Sequence, residues 1–296
     1  MLNQETGPDS PERSPESEVE QIFTDLDINF KDQHPALFER LVEMHAEEES
    51  HFYDAIEMAK MIDKNWDRLG LEDLDKQKMI LCALLHDIGK SGPAEASVEA
   101  RTACRWLFHK SYAIKHLPED ADVRQLSMRE FIDNSEQPDK DKVQELLTKE
   151  LKIDIDQTNM IEFWLGHVDW TYDILSNHMK GDVDQAVVLI TASHHILDGK
   201  NPANLKEEEV PESAQWIGVI EEYQILTLVD KYQAFRERSH LSHPQAIIAL
   251  RATVEGSSLS AEMQANYLRI IDKFSDAEFA ANLEAARQEA QANYHY

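Results

Sequence analysis

Apolar residues recur along most of this chain at the spacing of a helix that buries one face. From residue 35 onward they return every three or four positions, and shorter, mostly apolar helical runs follow at 79–85, 187–190 and 225–229. No sustained alternation of apolar and polar residues points to strands, and no internal repeat is visible. The pattern therefore predicts an all-α protein.

The same pattern divides the chain into segments. Residues 1 to about 25 are rich in Glu, Ser and Pro, which predicts a disordered acidic tail. A helical domain is predicted over 26–272, with a helical and loop insertion at about 93–148 and a C-terminal helix extension over 273–296. Helical patterns in the second half lie at 157–178, 183–195, 213–238, 243–254 and 260–292.

Composition limits the partners. The formal net charge of −28 would repel a long nucleic acid, whereas bound cations and a few basic residues still allow a small phosphorylated substrate. Only two cysteines, no signal-peptide pattern and no apolar run of membrane-spanning length predict a cytoplasmic protein without a membrane span. The insertion and the acidic tail are candidate surfaces for a protein partner.

Residues of types that commonly bind metal ions, histidine and aspartate, lie at or soon after the ends of the apolar runs. His86 and Asp87 follow the first run, His194 and His195 come soon after the second, and Asp230 ends the third. A charged carboxylate at the end of a buried helix needs a cation or several hydrogen-bond donors. We therefore predict that the three runs deliver these side chains to one site in the core of a helical bundle.

Glu47 and His51 are four residues apart, a spacing that places two side chains on the same side of one helix. An oxygen and a nitrogen could then face one ion. Taken alone, however, Glu47 belongs to a run of glutamates, and such runs usually form a solvated face. Histidines and carboxylates without a thiolate suit iron, manganese or zinc.

Taken in order, these segments resemble the HD-GYP branch of the HD-domain metal-dependent phosphohydrolases. His86-Asp87-Ile88-Gly89-Lys90 matches the defining motif, and the similarity covers roughly 47–92 and 149–272. Two departures stand out. The Gly-Tyr of the Gly-Tyr-Pro that names the branch is absent, and about fifty extra residues precede His167. The similar segments are 47–56, 86–90, 167–175, 194–199, 226–234 and 242–246.

The resemblance implies an HD-domain helical bundle that holds two or three divalent ions, iron or manganese. Asp87 would bridge ions and orient the nucleophile, and Lys90 would neutralise a phosphate oxygen, which makes these two the catalytic residues. Lys200, Arg236 and Arg238 would join Lys90 in binding substrate, although the two arginines could equally lie on a solvated helix face. The implied metal ligands are Glu47, His51, His86, Asp87, His167, His194, His195 and Asp230.

The activity that the resemblance implies is hydrolysis of a cyclic dinucleotide, first of all cyclic di-GMP, to a linear dinucleotide or GMP. One alternative is an enzyme of the same fold that acts on another nucleotide, suggested by Lys200-Asn201-Pro202 in place of the family loop. A second is a metal-bound sensor or scaffold that binds a cyclic dinucleotide without turnover. A third is an iron oxygenase of HD type.

Overall fold

Helices form nearly all of the regular structure. The structure is a computed structural model that describes residues 14–47, 49–70, 75–108, 122–136, 139–179, 182–201, 205–206 and 209–294, with the backbone alone at 47, 49–51, 182–184 and 291–294. These residues contain no β-strand, only an isolated antiparallel bridge between Ser127 and Asn159. The prediction of an all-α helical bundle is confirmed.

The helices are, in chain order, α1 Pro15–Asp25, α2 Phe30–Gln33, α3 Pro35–Glu47, α4 Glu49–Leu69, α5 Lys76–Leu85, α6 Val98–Phe108, α7 Met128–Asn134, α8 Lys140–Glu145, α9 Met160–Leu165, α10 His167–His178, α11 Asp182–Ala192, α12 Glu209–Ile217, α13 Ile220–Glu237, α14 His243–Glu255, α15 Ala261–Phe274 and α16 Ala277–Tyr294. A π-helical turn, Leu146–Glu150, follows α8. Short 3₁₀ turns lie at Ile88–Ser91, Val123–Gln125 and Ile196–Asp198.

The main hydrophobic core lies where α4, α5, α11 and α13 pack against one another. Helix α5 is apolar on nearly every side, so it is stable only when neighbouring helices surround it. Asp75 begins this helix by accepting hydrogen bonds from the backbone N–H groups of Gln77 and Lys78. Helix α10 packs against both α11 and the turn Ile88–Ser91, which brings the ends of α5, α10 and α11 together.

The predicted insertion contains a second, smaller hydrophobic core. Helices α6, α7, α8 and α9 contribute to it, so the unit extends beyond 93–148 to about residue 165. Capping boxes at Ser127 and Asn159 begin α7 and α9 and satisfy their first backbone N–H groups. The buried side chains of this core are Ala103, Cys104, Leu107, Phe108, Met128, Phe131, Ile132, Val143, Leu147, Ile155, Met160 and Phe163.

The N-terminal region departs from the prediction. A disordered tail over 1–25 is wrong for its second part, because Pro15–Asp25 forms α1, which packs on α3. Val19, Ile22 and Phe23 are buried, and their spacing is that of an amphipathic helix. Residues 1–13 lie outside the described part of the chain.

The C-terminal region forms α16, which packs along α4 of its own chain. Phe279 and Leu283 are buried there, and Lys60 and Lys64 of α4 pair with Glu289. The helical pattern predicted over 213–238 is interrupted between α12 and α13, and that over 260–292 between α15 and α16. Among the described helices, none combines the length and apolar character that crossing a membrane requires.

Candidate metal centre

Three histidines share one local arrangement. The Nδ1 atom of His86 lies 2.8 Å from the carbonyl oxygen of Ala83, and that of His194 lies 2.7 Å from Thr191 O. His167 Nδ1 contacts the carbonyl of Trp164 in the same way. Carbonyls at helix ends need donors, and a carbonyl can only accept a hydrogen bond. Each Nδ1 therefore carries a proton, and Nε2 presents a lone pair whenever the ring is neutral.

The three Nε2 atoms converge on the carboxylate of Asp87. His167 Nε2 and His194 Nε2 lie 3.1 Å and 3.7 Å from Asp87 Oδ1, whereas His86 Nε2 lies 3.2 Å from Oδ2. All four residues are buried. The two oxygens of one carboxylate thus face different sets of nitrogen atoms, which is the arrangement that a bridging ligand requires.

His167 Nε2 and His194 Nε2 lie only 3.1 Å apart. With both protons held at Nδ1, two lone pairs face each other, and this contact is unfavourable unless a positive charge lies near both. The distance is also close to the roughly 3 Å expected between neighbouring nitrogen ligands of one ion at ordinary metal–nitrogen lengths. The donor set fits a divalent transition metal.

His195 extends the cluster. The ligand atoms of His167, His194 and His195 all lie within 4.8 Å of one another. His195 Nδ1 lies 2.6 Å from Asp198 Oδ2, and Lys231 donates to the same oxygen. A carboxylate that accepts from Nδ1–H fixes the ring and leaves Nε2 as the ligand atom.

Asp230 Oδ1 lies 3.9 Å from His86 Nε2, at the side of the cluster formed by α13. The expectation that the third run delivers Asp230 at a helix end is wrong, because α13 continues to Glu237, as the helical pattern predicted over 213–238 indicates. Its carboxylate therefore projects from within a buried helix, where a charged group needs a cation or hydrogen-bond donors.

The charges of the cluster support one another. Burial opposes ionisation of Asp87, but His86 and Lys90 hold its pKa well below the usual range. Burial likewise opposes protonation of His86, yet Asp87 and Asp230 raise its pKa. Burial lowers the pKa of His167, so this ring stays neutral, as a metal ligand must be.

The pKa values of the two remaining groups follow the same logic. Burial and the neighbouring His194 hold the pKa of His195 well below its ordinary value, which keeps the ring neutral. Burial raises the pKa of Asp230, but the nearby histidines, His195 first, lower it overall. The cluster thus combines ionised carboxylates with the neutral imidazoles of His167 and His195, and this combination binds divalent ions.

A close backbone contact holds His86 and Asp87 against α10. Gly89 N donates to Thr171 Oγ1 at 3.0 Å, and the same hydroxyl donates to His86 O at 3.3 Å. A Cβ atom on Gly89 would lie 2.0 Å from His167 O, so only glycine fits here. Thr171 lies one helical turn after His167 and thereby joins two ligand-bearing segments.

Glu47 and His51 lie at the junction of α3 and α4, since α3 ends at Glu47 and His51 belongs to the first turn of α4. The side chains of both, and all of Glu48, lie outside the described residues. The predicted contribution of these two residues to the cluster stays a prediction.

The four predicted substrate-binding residues differ in position. Lys90 is buried and donates to Asp87, so it lies at the cluster itself. Lys200 Nζ lies 2.7 Å from Asp169 Oδ2, in the first turn of α10. Arg236 donates to Glu284 of α16 at 2.8 Å, and this contact directs it toward the C-terminal helix.

Arg238 follows α13, and its side chain is 48% exposed. Its Nη2 lies 3.7 Å from Asp54 Oδ2 of α4. Desolvation opposes its charge, but Asp54, Asp230 and Asp87 together raise its pKa above the ordinary value. Two of those three carboxylates are candidate ligands, so the guanidinium group adds positive charge beside the site.

The insertion forms one wall of the cluster. The ring of Phe108, at the end of α6, meets the ring of His167 edge-on at a centroid distance of 6.0 Å. Trp164, whose carbonyl contacts His167, donates from Nε1 to Leu107 O at 2.8 Å. The extra residues before His167 thus help to orient that histidine.

Sequence reasoning missed Thr171, Asp198 as a partner of His195, Lys231 and Phe108. The spacing of Thr171 from His167 and of Asp198 from His195 was available as a signal, whereas the contact of Phe108 depends on tertiary packing. Comparison of the chain with family models, with curated proteins and with solved structures finds no match. Membership of the HD-GYP branch therefore stays a prediction.

Proposed function

We propose that the chain is a metal-dependent phosphodiesterase of the HD-GYP type, with cyclic di-GMP as the first candidate substrate and a linear dinucleotide or GMP as product. The observation that carries the proposal is the convergence of His86, His167 and His194 on the two oxygens of Asp87. Each ring is held in the tautomer that a metal ligand needs.

Two or three divalent ions, iron or manganese, would be held by His86, Asp87, His167, His194, His195 and Asp230, with Glu47 and His51 as further candidates. Bound there, they would supply Lewis-acid activation of water and would neutralise charge on the phosphate. Asp87 orients the ligand set, because its two oxygens face opposite groups of histidines.

Lys90 and Arg238 supply the positive charge that a phosphodiester needs. Lys90 contacts the same carboxylate oxygen as His86 does, so its ammonium group lies where a non-bridging phosphate oxygen would approach the cluster. Arg238, which follows α13 and pairs with Asp54, would contact the second phosphate of a cyclic dinucleotide.

The deciding experiment joins metal content to turnover. The protein is purified anaerobically, its metals per chain are counted by elemental analysis, and the same sample is incubated with cyclic di-GMP and a panel of other cyclic dinucleotides and mononucleotides. We expect two or three iron or manganese ions and a linear product from cyclic di-GMP. Bound metal with cleavage of a different nucleotide favours the same fold with another substrate. Bound metal with no cleavage favours a sensor, and absence of metal contradicts the ligand assignment.

Asp87→Ala tests the proposed metal centre directly. We expect it to abolish turnover and to lower the metal content, because it removes a carboxylate that contacts three of the histidines. Asp156→Ala, at an exposed aspartate of the insertion, is the control and should leave both unchanged. Unchanged turnover in Asp87→Ala would exclude the proposed mechanism.

A further inference from the structure

The turn that follows Lys90 is held by a buried arginine from α3. Arg40 is only 7% exposed. It donates from Nη1 to Ser91 Oγ at 3.1 Å and to Gly92 O at 3.2 Å, and from Nη2 to Ala94 O at 2.9 Å. One guanidinium group thus fixes three positions in the stretch directly after Lys90.

A second arginine, from the insertion, holds the same turn from the other side. Arg105 of α6 is 8% exposed and donates from Nη1 to Ser91 O at 3.4 Å and to Glu43 Oε2 at 3.1 Å. Arg101 of α6 donates to Glu43 Oε1 at 2.8 Å. Ser91 is fully buried between α3 and α6.

This array is electrostatically expensive. The guanidinium groups of Arg101 and Arg105 both contact the carboxylate of Glu43. Burial, followed by the charge of Arg101, lowers the pKa of Arg40. Well-packed apolar side chains often hold a buried loop at lower cost than charged groups do. A guanidinium group differs from them in that its rigid fork fixes several acceptor atoms at once, so it defines orientation as well as contact.

Orientation matters here because the clamped residue adjoins Lys90. Lys90 N donates to Asp87 O at 2.8 Å, and its ammonium group donates to the Asp87 carboxylate. The turn is therefore fixed to the cluster on one side of Lys90 and to the two arginines on the other. A shift of Ser91 would move the Lys90 side chain relative to the histidines.

We propose that Arg40 and Arg105 are positioning residues for Lys90, and that the insertion, through Arg105, sets how strongly the site holds a substrate phosphate. The inference rests on the proposed function, in which Lys90 contacts phosphate. Neither arginine reaches substrate in this proposal; both act through the backbone and hydroxyl of the turn.

Arg40→Lys tests the proposal, since lysine keeps the charge but loses the fork. We expect wild-type metal content, an unchanged kcat and a KM for cyclic di-GMP raised about tenfold. Lysine cannot make all the hydrogen bonds of the Arg40 guanidinium group, and losing one bond to a charged group corresponds to about a tenfold change in affinity. Arg129→Lys is the matched control: Arg129 pairs with exposed Asp156 elsewhere in the insertion and should leave KM unchanged. Ser91→Ala removes one acceptor of the clamp and should raise KM in the same direction by less.

A second measurement does not depend on turnover. Limited acetylation followed by mass spectrometry reports the reactivity of Lys90 relative to the exposed Lys149. We expect this ratio to rise severalfold in Arg40→Lys and to stay constant in Arg129→Lys, because loosening of the turn exposes an amine that is buried in the native protein.

The kinetics and the acetylation ratio together distinguish failure of the proposed substrate from failure of the positioning role. Wild-type protein that leaves cyclic di-GMP intact removes the proposed substrate, and the acetylation ratio then decides the positioning role alone. A folded Arg40→Lys protein with unchanged Lys90 reactivity overturns the positioning role whatever the substrate. If Arg40→Lys does not fold, Ser91→Ala is judged by the same two measurements, and unchanged values there overturn the proposal.

Discussion

Gly89 lies at the closest approach between the turn Ile88–Ser91 and α10, so Gly89→Ala tests how tightly the candidate centre is built. A Cβ atom there would lie 2.0 Å from His167 O, 2.6 Å from Thr171 Oγ1 and 2.7 Å from Thr171 N. Carbon and oxygen atoms in weak contact are ordinarily about 3.3 Å or more apart. Two of the three opposing atoms belong to the backbone, so the turn and α10 must separate by about 1 Å.

The expected cost follows from two terms. Overpacking of a buried contact costs about 1–3 kcal/mol. Separation also weakens the bond from Gly89 N to Thr171 Oγ1, which contributes about 1 kcal/mol. We therefore expect Gly89→Ala to lower the free energy of unfolding by about 2–4 kcal/mol in urea titrations. Metal content should fall as well, because ligands must keep their positions to within about 0.5 Å.

Gly256→Ala is the control for this change. Gly256 follows α14 with a φ of −86°, and a Cβ atom there would lie 3.1 Å from its nearest neighbour, Ala252 O. We expect its free energy of unfolding to stay within about 0.5 kcal/mol of wild type. If Gly89→Ala is equally stable and retains its metal, the close packing of the turn against α10 is refuted.

Two further changes test other parts of the structure. Glu57 is buried, and its Oε1 has no hydrogen-bond partner among the described residues; burial, then Glu237 and Asp54, raise its pKa from 4.5 to about 8. The folded protein keeps a proton that the unfolded chain has lost, so stability falls as pH rises from about 4.5 to about 8. Urea titrations of Glu57→Gln should lack this fall, which amounts to at most roughly 5 kcal/mol. Asp198→Ala removes the acceptor for His195 Nδ1 and should weaken metal binding about 10–100-fold in equilibrium dialysis; unchanged affinity would contradict its orienting role.

The sequence predicted the helix ends at His86 and His194 well, because each follows a run that is apolar on every side. Asp230 follows a similar run but lies within a helix. Tyr232 and Gln233 are buried beyond it, and no glycine or proline marks an end, so the helix continues. An apolar run indicates that a helix is buried. The residue at which the helix ends depends on a separate signal, such as a glycine or a proline.

Other features of the site could not be read from local pattern. Arg40 and Arg105 have the flanking residues of ordinary amphipathic helices, and nothing in their neighbourhood distinguishes them from solvated arginines. Their burial follows from the packing of α3 and α6 on both sides of one turn. The N-terminal prediction failed for the opposite reason: overall acidic composition outweighed a local apolar stripe, that of Val19, Ile22 and Phe23, which a helix could bury.

The basic residues around the cluster explain how so acidic a chain could hold a phosphate. Each cation lies beside a carboxylate, so none is buried as an uncompensated charge, and these pairs offset much of the negative charge at the site although the chain has a net charge of −28. In the proposed function Asp87 has two roles, as partner of Lys90 and as metal ligand. Metal ions bound by that carboxylate would draw it away from Lys90 and free the ammonium group for a phosphate oxygen. Metal binding and substrate binding would therefore favour each other. The pairs are Lys90 with Asp87, Lys200 with Asp169, Lys231 with Asp198 and Arg238 with Asp54.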